Sequence, residues 1–135
     1  MTERRFSGGF TLVELMVTLV VIAILSAIAL PIYRSHVIDA RRSAAQAILF
    51  DALARQEQFF LSNKSYTATV GGGGLEIDTT SDDGAYQISV LAATAACPIA
   101  NCFVLQAAPQ GAQTEDSCGT LSLDSEGNRT PAACW

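Results

Sequence analysis

From Leu12 to Ile32 the chain is apolar at almost every position, and its only polar side chains are Glu14, Thr18 and Ser26. A run of that length is apolar on all sides of a helix, as a membrane span or a helix surrounded by other helices must be. After Tyr33 the pattern becomes one-sided. Ala45, Ile48, Leu49, Ala52, Leu53 and Phe60 recur at steps of three and four, with Arg41, Asp51, Arg55 and Gln58 off the stripe. The two stretches predict one helix over residues 12–61, roughly 75 Å long at 1.5 Å per residue. Pro31 has no N–H to give to the Ala27 carbonyl, so a kink or a locally melted turn is expected there. The one-sided half is expected to lie on a sheet. A coiled coil is disfavoured, because the stripe is short and mixes Ala with Phe.

Ser62-Asn63-Lys64-Ser65 ends the helix, and residues 63–85 follow with the run Gly71-Gly72-Gly73-Gly74. No Gly-Lys-Ser/Thr follows the glycines, so a phosphate cradle is excluded and a flexible linker is expected. Asp78, Asp82 and Asp83 match no calcium-loop spacing and read as solvated loop acids. Three strands are predicted at residues 86–91, 103–107 and 120–123. Tyr86, Ile88 and Val90 alternate with Gln87 and Ser89, while Leu121 and Leu123 alternate with Thr120 and Ser122. The fold class is α+β: a long N-terminal hydrophobic helix, kinked near Pro31, packed on a small antiparallel sheet.

The chain has 135 residues, and its 50% hydrophobic content is concentrated in the first apolar run, leaving enough for one small core. The formal net charge is −5. Outside Arg4 and Arg5 the only adjacent basic pair is Arg41–Arg42, read as a solvated helix face, and nucleic acid is not expected as a partner. All four cysteines lie beyond Ala96. With an N-terminal export or membrane segment, they point to an oxidising compartment. Four cysteines allow three pairings. Cys97 and Cys102 flank Pro98-Ile99-Ala100-Asn101, a spacing that staples a turn. A zinc site is disfavoured by the loose spacing of the four, and no metal or cofactor is expected.

An ordinary secretory signal would use Arg4 and Arg5 as its basic region, residues 15–25 as its apolar stretch and Ala27-Ile28-Ala29 as its cleavage site. Two features oppose that reading. Glu14 costs about 2.5–3.5 kcal/mol if carried to mid-bilayer, which a disposable signal has no reason to bear. Gly8-Gly9 precedes the apolar run, on the cytoplasmic side. A residue without a side chain lets a protease approach the backbone closely, and a free α-amine has a pKa of about 7.7–8.0. A carboxylate among apolar helices needs such a cation or must take up a proton.

The stretch Gly9-Phe10-Thr11-Leu12-Val13-Glu14 resembles the class III signal of type IV prepilins and pseudopilins. The resemblance implies cleavage between Gly9 and Phe10 by prepilin peptidase, N-methylation of Phe10, and pairing of Glu14 with the Phe10 amine of a neighbouring subunit during assembly. Pro31 falls where pilins of this family commonly carry a proline. The implied partners are prepilin peptidase, other major and minor pilins, the inner-membrane pilus assembly platform and the membrane itself. The implied location is a single pass through the bacterial inner membrane with a periplasmic C-terminal domain, then the extracellular pilus fibre.

Cys118-Gly119-Thr120-Leu121-Ser122-Leu123 with the late Cys134-Trp135 is similar to the C-terminal end of the PilE-type minor pilins. That likeness implies a Cys118–Cys134 bond around the last strand and tail, worth roughly 3 kcal/mol for a loop of this size. The Cys97/Cys102 pair is not part of that pattern.

The expected organisation is a cleaved leader at residues 1–9, a membrane and filament-core helix at 10–33, and an amphipathic helix half at 34–62. The glycine-rich loop at 63–85 and a sheet with a disulfide-closed terminal loop at 86–135 complete it. No nucleophile–base constellation is present and His36 is the lone histidine, so catalysis is not expected. Two classes of function remain. One is a filament subunit, a minor pilin acting in pilus assembly and hence in twitching motility or adhesion. The other is a pseudopilin of a type II secretion system or a membrane-anchored periplasmic binding module.

Overall fold

The computed structural model describes residues 9–94 and 97–135. The expected leader at residues 1–9 lies, apart from Gly9, outside the described residues. The elements run α1 (Leu12–Asn63), β1 (Tyr86–Ala92), β2 (Phe103–Pro109), β3 (Leu121–Asp124) and β4 (Arg129–Thr130). Two 3-10 helices, Gly111–Glu115 and Ala132–Cys134, join or follow the strands. The chain divides into two compact units, the first ending at Val37 and the second being Ile38–Trp135. The second unit is called the head below.

Thr11 and Glu14 start α1 as a capping box. The Glu14 N–H donates to Thr11 Oγ1 at 3.2 Å, and the Thr11 N–H donates to Glu14 Oε2 at a long 3.5 Å. The helix continues through Pro31 as one element. It ends where Lys64 turns to a positive φ of 58° while its N–H still reaches the Phe60 carbonyl at 2.8 Å.

In the head, four antiparallel strands form a meander in the order β1-β2-β3-β4. The register places Val90 opposite Leu105 and Leu105 opposite Leu123, so alternate positions of three strands share the inner face. Ala45, Leu49 and Ala52 of α1 cover that face together with Tyr86, Ile88, Phe103, Ala107 and Leu121, all of them buried. Leu105 and Leu123, at 0% and 1% exposure, lie at the centre of this cluster.

The glycine-rich stretch is not a linker, which corrects the expectation from composition. Leu75 N–H donates to Thr69 O at 3.0 Å and Ile77 N–H to Val70 O at 3.1 Å, and Val70 and Leu75 enter the core. A Cβ on Gly74 would sit 2.0 Å from the Thr69 carbonyl oxygen, so the fold-back of this loop requires a glycine there. Gln56, fully buried on the helix stripe, holds the start of the loop. Its amide donates to Thr67 O at 2.6 Å and its oxygen accepts from Thr67 N–H at 3.1 Å, as a neighbouring strand would.

Candidate functional site

Two surfaces of this chain carry chemistry, one in each unit. In the first unit, Phe10 is 82% exposed and every large apolar residue from Leu12 to Tyr33 is exposed. The helix contains an 18-residue window with a mean hydropathy of 2.8, none of it buried. Thr18, inside the run, turns its Oγ1 onto Leu15 O at 2.9 Å, and Ser35, just beyond it, donates its Oγ to Ile32 O at 2.8 Å. The run is an apolar cylinder long enough to cross a bilayer. Water does not tolerate that much exposed hydrocarbon, and lipid or other helices must cover it. Glu14 is the one acidic side chain in the apolar run, and its Oε2 is turned back toward Thr11.

In the head, the chemistry gathers around Asp116. Its side chain has no exposed surface and accepts Arg42 Nε at 2.9 Å and Arg42 Nη2 at 2.8 Å in a two-pronged pair. The Tyr86 hydroxyl donates to it at 2.9 Å and the Cys118 N–H at 3.0 Å. Burial alone raises the Asp116 pKa, but the Arg42 fork, the Cys118 amide and the Tyr86 hydroxyl outweigh it and hold the pKa at about 2. Arg42 was read from the sequence as a solvated residue, and the structure corrects that. It is the partner of a buried carboxylate, and its hydrogen bonds to Asp116 raise its pKa further. Arg41, beside it, pairs with Asp83 at 2.9 Å and remains about a third exposed.

The cysteines are bonded as Cys97–Cys102 and Cys118–Cys134. The first bond closes the β1–β2 connection, whose Ala100 carbonyl accepts the Tyr66 N–H at 3.3 Å. The second closes a terminal loop that is fastened to α1 twice. Gln46 Nε2 donates to Cys134 O at 2.6 Å, and Phe50 meets Trp135 edge-on with centroids 5.7 Å apart. Arg129 of β4 lies over both rings, 5.1 Å from Phe50 and 5.8 Å from Trp135.

A family model described as "Type IV minor pilin ComP, DNA uptake sequence receptor" matches residues 31–122, from Pro31 in α1 to Ser122 in β3. The chain belongs to the type IV pilins. The prokaryotic N-terminal methylation motif matches residues 4–30 of this pilin. The type IV wide pilus major component PilA4 of Thermus thermophilus is 38% identical over 64 residues, 47% of this chain and 49% of that relative. The match thus spans about half the length of the curated relative. A solved structure titled "High-Resolution Structure of a Type IV Pilin from Shewanella oneidensis" superposes with a TM-score of 0.56 and 32% identity. That superposition covers 73% of this chain and 97% of the other. The long helix on a four-stranded antiparallel sheet is the fold of that pilin. The name of the matching family includes a DNA receptor, so the exclusion of nucleic acid argued from net charge loses its support.

Several residues that organise this pilin were not found from the sequence. Thr11 carried a usable signal, since Thr-x-x-Glu before an apolar run is a capping-box signature. Gln56, Gln113 and Asp116 carried none, because polar residues give no local sign that they are buried.

Proposed function

We propose that this pilin is a minor subunit of a type IV pilus, processed after Gly9, methylated at Phe10 and acting in pilus assembly, and through the pilus in twitching motility or adhesion. The observation that carries the reading is the exposed apolar cylinder that begins at Phe10 with Glu14 as its one acidic side chain. Before assembly it sits in the inner membrane with the head on the periplasmic side, and in the fibre it packs among the helices of other pilins. The Phe10 amine of an incoming subunit meets Glu14 of its neighbour. Glu14 has a second carboxylate oxygen beyond the one turned toward Thr11, so helix capping and pairing are compatible. Two disulfides suit an oxidising compartment.

The test is Glu14→Gln. Glutamine still caps the helix but offers no charge to an amine. The variant protein should remain in the membrane fraction and fall out of sheared fibres. Wild-type amounts in the fibres would remove the pairing from the account.

A second reading, reception of DNA, is favoured by the description of the matching family model. The head is acidic, so reception would rest on few cations. Between Ile38 and Trp135 stand five Lys/Arg (Arg41, Arg42, Arg55, Lys64, Arg129) against eleven Asp/Glu. Arg41, Arg42 and Arg55 are each within 2.9 Å of a carboxylate, and Arg129 lies over aromatic rings. Few cations are left to displace counterions from phosphates. Full-length protein in detergent micelles, titrated with labelled duplex DNA at low and moderate salt, separates the readings. The assembly reading expects no saturable binding, whereas binding that weakens steeply with salt would make DNA reception the function.

A further inference from the structure

The turn between β3 and β4 leads through Glu126-Gly127-Asn128-Arg129-Thr130, an Asn-x-Ser/Thr acceptor pattern with a carboxylate two residues before the asparagine. The pattern alone says little, because a second one, Asn63-Lys64-Ser65, stands at the end of α1. Their settings differ. Every residue from Glu126 to Thr130 is exposed, and β4 is an edge strand of the sheet. Gly127, at a φ of 86°, turns the chain in open space, where an added Cβ would meet nothing within 4 Å. Exposed tips of this kind are where modifying enzymes reach a folded chain without displacing its core.

The Asn128 amide is held in a way that suits transfer to its nitrogen. Nδ2 donates to Asp124 Oδ2 at 2.9 Å and lies 3.4 Å from Glu126 Oε2. Asp124 also accepts the N–H groups of Glu126 and Asn128, each at 2.9 Å, so the turn is fixed around this carboxylate. An amide nitrogen is a poor nucleophile because its lone pair is shared with the carbonyl. Anionic acceptors on its N–H groups return electron density to it. Nδ2 carries two N–H groups, and attachment of a sugar uses one of them. The other keeps the bond to Asp124, so the modified turn retains its fold. At Asn63 the setting is different: Nδ2 donates to the Phe59 carbonyl at 3.0 Å, and Leu61 stands where the carboxylate would be.

We propose that Asn128 is an N-glycosylation acceptor, modified on the periplasmic side from a lipid pyrophosphate-linked oligosaccharide. Nδ2 attacks C1 of the first sugar. The Nδ2–C1 bond forms as the bond from C1 to the pyrophosphate oxygen breaks. The lipid pyrophosphate leaves with that electron pair, and Nδ2 gives one proton to a base of the transferase. Glu126 offers the transferase an anionic handle, and Thr130 offers the hydroxyl of the acceptor pattern. The site rests on the periplasmic placement of the head proposed above.

Full-length pilin purified from its native cells and mapped by electron-transfer mass spectrometry tests it, with protease accessibility of the head in spheroplasts measured alongside. The peptide containing Asn128 should carry a glycan mass on that residue, and Asn63 should carry none. Thr130→Val keeps the shape of the side chain and removes the hydroxyl. It should lower occupancy by about ten-fold or more, whereas Thr130→Ser should keep it. Glu126→Gln, which removes the charge of the handle, should lower occupancy as well. A bare Asn128 on a head that protease reaches would overturn the acceptor and leave the placement standing. A head out of reach of protease in spheroplasts would overturn both. Occupancy untouched by Thr130→Val, or equal at Asn63, would also overturn the assignment.

Discussion

At Asp116 a carboxylate without exposed surface is kept ionised by an arginine, an amide and a phenol. Its pKa in the folded chain, about 2, lies below the ordinary value of 3.8. The stability it contributes is therefore full above about pH 4 and is lost as the pH falls toward 2, an effect of about 2 kcal/mol. Thermal unfolding between pH 7 and pH 2 should show that loss in the wild type and a smaller one in Asp116→Asn. Asp116→Ala should cost more, about 3–5 kcal/mol in urea titrations at pH 7, because it leaves Arg42 partly buried and unpaired. The same scale of argument separates two glycines. Gly74→Ala drives a Cβ into the Thr69 carbonyl and should destabilise the head by about 1–3 kcal/mol. Gly72→Ala meets nothing within 4 Å and should stay within about 0.5 kcal/mol of the wild type, in the same titration. None of this was legible in the sequence. Arg42 and Asp116 are 74 residues apart, and no local periodicity joins them.

The elements were far more legible, because each hydrophobic pattern has a period of its own. The helix expected over residues 12–61 is observed as Leu12–Asn63, and the strands expected at 86–91, 103–107 and 120–123 are Tyr86–Ala92, Phe103–Pro109 and Leu121–Asp124. The fourth strand, Arg129–Thr130, escaped because two exposed polar residues have no alternation to read. The Gly111–Glu115 helix escaped too, with glycine, glutamine and threonine giving no helical stripe. Composition misled at the glycine run, where the decisive residues were Val70 and Leu75 on either side of it. The terminal loop is closed by a covalent bond as well as by contacts with α1. Cys118 and Cys134 are 16 residues apart, and Cys118→Ser with Cys134→Ser should cost roughly 3 kcal/mol. Calorimetry should register that as a fall in melting temperature on the order of 10–20 °C. A change of a degree or two would mean that Gln46, Phe50 and Trp135 hold the loop without the bond.

At the scale of the whole molecule, one chain carries two units with opposite solvent requirements. The unit ending at Val37 exposes hydrocarbon along its helix, and the unit beginning at Ile38 is an acidic, disulfide-closed head with its own core. An unbroken apolar run of that length announced the first unit on sight. The head's fold class followed from alternation and turns. What held its parts together did not, because buried polar side chains take their meaning from partners distant in the chain. The account rests most heavily on the N-terminus, where the proposed cut after Gly9 would both remove the basic leader and make the Phe10 amine. Mass spectrometry of the N-terminal peptide from sheared surface fibres measures that directly. The account predicts a peptide beginning at N-methylated Phe10. A chain that retains Met1, a chain cut after Ala29, or fibres that lack the protein would contradict it.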